Sequence, residues 1–256
     1  MQRSADSASD RRRTGPTRRT PTVIAVSTWF RVRLRLSVAL GLSMTISLGL
    51  LVVRYAATGR FGFRFLIWNL FLAAIPFPLA LLADWLLRVR HEVAALPVLA
   101  GWILFLPNAP YLVTDILHVE RSDAPLWYDA LLYGSFAVSG MLLCFGSVAL
   151  VHVAVRARLG TVAGWSAALV SLLLSGFGVY LGRVERWNSW NFWQTPRSLA
   201  RSILEPVQNP LSNARTIGFT VLYGAFLCVS YISLAAIGAV LRELASISEP
   251  DTWLGP

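Results

Sequence analysis

The side chains able to do chemistry gather in two stretches of opposite charge. The first holds Asp115, His118, Glu120, Arg121, Asp123 and Asp129, with a net charge of −3. The second holds Arg183, Glu185, Arg186, Arg197, Arg201, Glu205 and Arg215, with a net charge of +3. A carboxylate–histidine set can ligate a divalent cation. Paired guanidinium groups such as Arg183 and Arg186 can grip a phosphate or a carboxylate. A basic pocket below an acidic loop would suit the head group of a lipid or polyprenyl phosphate. The same residues also allow a plainer reading, in which the two loops dock on each other. Specific catalytic signatures are missing. His118-Val119-Glu120 has the H-x-E spacing of zinc deaminases, but no Pro-Cys-x-x-Cys follows. His91-Glu92 lacks the second histidine of H-E-x-x-H. No Ser-His-Asp set can be assigned by spacing. Cys144 and Cys228 are too few for a disulfide framework or a cysteine-rich zinc module. No metal site is expected, no cofactor is identified, and the expectation leans away from an enzyme.

The elements that must position these residues follow from composition. The chain has 256 residues, of which 55% are hydrophobic and 14% charged, with a mean hydropathy of +0.58. A soluble domain carries about a quarter charged residues. Six uncharged apolar runs have the length that crosses a hydrocarbon core: 36–53, 65–83, 93–114, 130–151, 161–182 and 216–240. Charge bounds them: Arg35 and Arg54 around the first, Arg64 and Asp84 around the second, Asp129, Arg158 and Arg215 before the last three. The runs lack the period-two alternation of a membrane barrel. The expected fold is therefore all-α, a polytopic integral membrane protein with a bundle of about six transmembrane helices over 36–241. The first run is longer than a signal-peptide core, and Arg54-Tyr55-Ala56-Ala57 is a poor cleavage site, so it is kept as a span. Arg11-Arg12-Arg13 has no apolar stretch close behind it and is not read as a twin-arginine signal.

All 23 basic residues are arginine, and the net charge is +10. Nine arginines lie in the first 35 residues against Asp6 and Asp10 alone. Residues 1–35 are expected to be a disordered, arginine-rich cytoplasmic tail, and 242–256 a cytoplasmic carboxyl-terminal tail. Such a tail can bind nucleic acid, but a span follows at once, so a positive-inside anchor against anionic lipid is preferred. With the amino terminus inside, 14 arginines fall on the cytoplasmic side and 9 outside. The expectation is a multi-pass protein of a bacterial plasma membrane, with both termini cytoplasmic. The bilayer is its partner, with anionic lipid or a lipid phosphate and other membrane proteins as further candidates, and without nucleic acid.

The third run is irregular. Pro107 and Pro110 each remove an amide donor within membrane depth, and backbone freed there needs a partner in protein or a water-lined cavity. Asn108 is suited to that task. A broken helix of this kind can mark a transporter site, and it can equally be a packed proline kink. Asp84 stands one turn before Arg88 and is expected to pair with it. Gly134 and Gly140 in the fourth run, and Gly178 and Gly182 in the fifth, read as close helix contacts. Gly176-x-Gly178 lies within the fifth run and is not a nucleotide loop. Past the fifth run, Trp187, Trp190 and Trp193 are expected to anchor at headgroup level. An interfacial helix is expected over 196–205, as a lipid anchor or a lid. The candidate polar cluster at the outer face is Asn108, Tyr111, Asp115, His118, Asp129, Arg183, Arg186 and Asn188. No charged residue sits at the centre of any run, which disfavours a proton pump with a buried carboxylate relay.

Phe105-Leu106-Pro107-Asn108-Ala109-Pro110-Tyr111 with Thr114-Asp115 resembles a signature of a bacterial membrane-protein family, domain of unknown function 1361. So does Tyr180-Leu181-Gly182-Arg183 followed by Arg186-Trp187-Asn188-Ser189-Trp190. The similarity runs from about 45 to 240 and is tightest over 102–118 and 178–193. It implies a polytopic membrane protein and carries no activity, cofactor or catalytic residue to this chain. Three classes of function stay open: a carrier for a small solute or lipid, a membrane enzyme handling a lipid-linked phosphate, and a non-catalytic assembly subunit.

The topology can be checked directly. In a variant with Cys144 and Cys228 changed to alanine, single cysteines at Asp123 and Gln208 should both react with a membrane-impermeant thiol reagent in intact cells. Labelling of only one before lysis, and of both after it, would place the two charged loops on opposite sides.

Overall fold

The computed structural model describes residues 21–60, 62–118, 124–183, 205, 208, 209 and 213–248. Its elements are α1 (Pro21–Thr58), α2 (Arg64–Ala74), α3 (Pro76–Arg88), α4 (Glu92–Phe105), α5 (Asn108–Thr114), a 3-10 turn (Asp115–His118), α6 (Leu126–Leu159), α7 (Thr161–Arg183) and α8 (Ala214–Ser248). Among the described residues there is no strand. Counting α2 with α3 and α4 with α5, six helices among the described residues are long and apolar enough to cross a membrane. The protein is an all-helical, multi-pass membrane protein.

Helix extends further than expected at both ends. α1 begins at Pro21, so 21–35 is helix rather than disordered tail. Proline suits the first position of a helix, and neither proline nor glycine interrupts the chain from Thr22 to Leu40. α8 likewise runs on through 242–248. The tail residues 1–20 and 249–256 lie outside the described residues, as does the interfacial helix expected over 196–205, apart from Glu205.

Packing divides the chain within α1 into two units, Met1–Val38 and Ala39–Pro256. In the first, Arg33 lies over the ring of Trp29 at 5.0 Å, and Arg31 donates to Thr28 at 3.4 Å. The second unit is built around α6, which packs against α2, α3, α5 and α7. α8 covers α7, and α4 covers α3. Tyr133, Phe136, Leu66, Leu112 and Leu172 are among its fully buried side chains. In lipid these contacts hold through dispersion and close approach, because the tails are as apolar as leucine.

Glycines permit that approach, Gly140, Gly176 and Gly178 among them. A Cβ on Gly140 of α6 would meet the carbonyl oxygen of Ala109, and one on Gly178 of α7 would meet the Pro107 ring. Gly176 of α7 faces the backbone of Thr220 and Gly224 in α8. Gly134 has open space beside it and makes no such contact, contrary to expectation. From α1, Ser43 and Ser47 reach Ser139 of α6 at 2.6 and 3.0 Å. Tyr128 donates to the Leu50 carbonyl at 2.7 Å. The turn between α6 and α7 is Gly160 alone, at φ +90°, a backbone region that favours glycine.

Two spans are broken by proline, where one break was expected. Asn108 does at Pro107 what its position suggests. Ala109 N–H turns to the Leu106 carbonyl at 3.1 Å, and the Asn108 amide donates to the Phe105 carbonyl at 2.9 Å. The second break lies between α2 and α3, at Ile75-Pro76, where Ile75 N–H bonds Leu72 at 3.3 Å. Pro76 and Pro78 are its visible signal. At the end of the bundle where α3 and α6 finish, Arg88 donates to Asp84 at 2.9 Å, as expected. There Arg158 caps α3 by donating to the Leu87 carbonyl at 2.8 Å.

Packing at the glycines is testable by thermal unfolding in detergent. Gly140→Ala and Gly178→Ala should each cost about 1–3 kcal/mol through overpacking. Gly134→Ala should leave the midpoint unchanged.

Candidate functional site

At the end of the bundle opposite Asp84, α1, α5 and α7 finish and α2 and α6 begin. Among the described residues two ion pairs form there, one half-buried and one buried. The first centres on Asp115, which directly follows α5 and is 1% exposed. Arg183, the last residue of α7, donates from Nη1 to Asp115 Oδ1 at 3.3 Å and to the Tyr111 hydroxyl at 3.1 Å. Its Nη2 donates to the Thr114 carbonyl. The guanidinium lies 5.3 Å from the centre of the Tyr111 ring, within the reach of a cation–π contact. Asn69 of α2 donates its amide to Asp115 Oδ2 at 2.9 Å. One carboxylate therefore joins three helices, and the cation that answers it also closes the end of α5 by taking an orphan carbonyl. Nearby, Tyr223 of α8 donates to the Pro110 carbonyl at 2.8 Å.

The second pair joins Arg54 of α1 to Asp129 of α6, which are 5% and 1% exposed. Nε donates to Oδ1 at 2.6 Å and Nη2 to Oδ2 at 3.3 Å, a two-pronged contact. The Arg54 guanidinium lies 3.9 Å from the Phe63 ring centre, and Phe63 meets Tyr133 edge-on at 5.2 Å. The pair is thus sealed by aromatic rings.

Of the expected cluster, Tyr111, Asp115 and Arg183 meet. Asn108 is placed one break earlier and serves the Phe105 carbonyl. Asp129 does not join Arg183. It belongs to the Arg54 pair, because it opens α6 beside the last turn of α1. His118 closes the 3-10 turn after Asp115. Arg186, Asn188, Trp187, Trp190 and Trp193 lie outside the described residues. Two residues of this end were missed: Arg54, which sits inside α1 rather than after it, and Asn69, a lone amide within the apolar run 65–74. A polar residue within an otherwise apolar span is a signal in its own right. Among the described residues no three His, Cys, Asp or Glu side chains come together to hold a metal ion.

Chemically the arrangement is that of a clamp. The donors of Arg183 point at Asp115, Tyr111 and the backbone, and the two oxygens of Asp115 accept from two helices. Removing one member of a buried pair leaves an uncompensated charge and costs about 3–5 kcal/mol. Asp129→Ala and Arg54→Ala should each unfold the bundle earlier in detergent by that order. The double variant should lose less than the sum, with a coupling of roughly 1–3 kcal/mol. Strict additivity in the cycle would show that the two side chains do not act as a pair.

No curated protein and no solved structure matches the chain. A sequence family described as "Protein of unknown function (DUF1361)" matches residues 68–230. The match is narrower than the expected 45–240, but it takes in the proline break, Asp115 and Arg183. The chain belongs to that family.

Proposed function

We propose that this protein is a non-catalytic subunit of a plasma-membrane assembly, with its amino terminus in the cytoplasm and its two-pair clamp at the extracytoplasmic face. The excess of arginines, 14 against 9, supports that orientation. The observation that carries the reading is the closure of the Asp115–Arg183 cluster on its own helices. A site for solute or phosphate would present converging groups to an opening. Here they converge on a carboxylate and a helix end. A carrier is the second reading, favoured by one feature: α5 is a short helix released at Pro107 and held at its far end by Asp115, the build of a gate.

Cross-linking in native membranes, followed by mass spectrometry, should capture this chain with itself or with another membrane protein. Capture of monomer alone would sink the assembly role. The charge exchange Asp115→Arg with Arg183→Asp separates clamp from gate. A clamp should regain most of the stability lost by either single change. Solute uptake into liposomes that appears on opening the pair with Asp115→Asn would instead establish the carrier.

A further inference from the structure

At the end of the bundle away from the clamp, one histidine is enclosed by aromatic rings from three helices. His152 of α6 lies about 10 Å before the last residue of that helix and is 7% exposed. Its Nδ1 is 2.8 Å from the Tyr231 hydroxyl of α8. The Trp165 ring of α7 packs against it at 4.6 Å, and Phe145 of α6 meets Tyr231 at 5.9 Å. His152 Nε2, also buried, has no hydrogen-bond partner among the described residues. A neutral imidazole leaves one nitrogen unmatched here. An imidazolium carries a charge and two N–H donors, and the second donor would face no acceptor.

The surrounding charges do not answer an imidazolium. Arg156 stands one turn further along α6 with the same sign, and a Cβ on Gly164 of α7 would meet both its side chain and that of His152. Arg158 is engaged by the Leu87 carbonyl. α7 brings no charged residue before Arg183 at its far end. On α8, Cys228 donates to the Leu169 carbonyl at 3.6 Å, and Arg242 and Glu243 follow Tyr231 only after about 16 Å of helix. Asp84 of α3 is engaged by Arg88. Arg64, Asp115 and Asp129 belong to the clamp end. Past Tyr231 none of the described α8 side chains up to Ile247 is buried. The first half of α8 is held on α7 independently, where Gly176 and Gly224 meet.

We propose that His152 is a proton-operated latch: neutral, it ties α8 to α6 through Tyr231, and on taking a proton from the aqueous phase it lets go of Tyr231 and frees the arm beyond. The latch is separate from the Asp115 clamp and does not rest on the assembly role. Histidine is the side chain whose charge changes near neutral pH, and buried histidines of this kind switch contacts elsewhere in proteins.

The test uses the full chain in nanodiscs, with Cys144 and Cys228 changed to alanine and spin labels at Val162→Cys and Ile237→Cys, both exposed positions. Lowering the pH from 8 to 5 raises the drive for a one-proton step about a thousandfold. The distribution of label separations should be narrow at pH 8 and broad at pH 5. His152→Asn keeps an amide near the place of Nδ1 and does not titrate, so it should stay narrow at both. Tyr231→Phe, which removes the hydroxyl, should be broad at both. Histidine-selective nitrogen NMR needs no change at His152: in a chain with His91→Gln and His118→Gln it is the one histidine left, and its imidazolium should appear over the pH range in which the arm is released. Should His152→Asn fail to fold, the coincidence of these two titrations decides. A separation that stays narrow while His152 is protonated, a His152 still neutral at pH 5, or a release that persists in His152→Asn would each overturn the proposal. So would a narrow distribution in Tyr231→Phe, since the hydroxyl would then hold nothing.

Discussion

Burying the Asp115 carboxylate obliges three helices to meet. An ionised carboxyl removed from water needs a cation and hydrogen-bond donors close by, and no single helix supplies them. Arg183 comes from α7 and Asn69 from α2, and on α5 itself the Tyr111 hydroxyl and the Thr114 carbonyl accept from Arg183. Close approach of the backbones is the condition for this meeting. Gly178 lets α7 lie against Pro107, and Gly140 lets α6 lie against Ala109. The small residues and the ion pair are two halves of one constraint. The glycines let the helices come close, and the carboxylate answers the half-buried arginine that this approach brings in.

Arg54 and Asp129 repeat the principle between α1 and α6, with aromatic rings in place of further donors. The opposite end is held differently. There Asp84 pairs within its own helix, and Arg158 caps the carbonyls that α3 leaves open. The polar links between sequence-distant helices thus weigh toward one end among the described residues, while the glycine contacts and aliphatic packing hold the middle. That asymmetry is why the cluster reads as a lock on the bundle.

The six spans were legible because apolar length and flanking charge are local properties. The duty of Asn108 was legible for the same reason: the prolines, the freed carbonyl and the amide lie within six residues. Asp84 and Arg88 sit one turn apart and announced themselves. The Arg54–Asp129 pair did not, because a partner 75 positions away is chosen by packing and leaves no local trace. Arg54 looked like a boundary charge, and only the helical turn beyond it shows that it is embedded. The break at Pro76 was visible as Pro76 and Pro78 but lay in a run whose hydropathy is unbroken. Gly134 and Gly140 looked alike in sequence, and only the path of α5 distinguishes them.

α8 is tied to α6 and α7 no further than Tyr231, whose hydroxyl lies 2.8 Å from the His152 ring. Beyond it none of the described side chains from Ile232 to Ile247 is buried. The helix rises about 50 Å in all, against a hydrocarbon layer of about 30 Å. A helix longer than its layer can tilt to match it, and past Tyr231 none of the described α8 side chains is buried against a neighbouring helix. Lipid chain length therefore governs the inclination of this arm. A thinner bilayer lays it over and a thicker one raises it, while the Asp115 clamp at the far end of the bundle holds still.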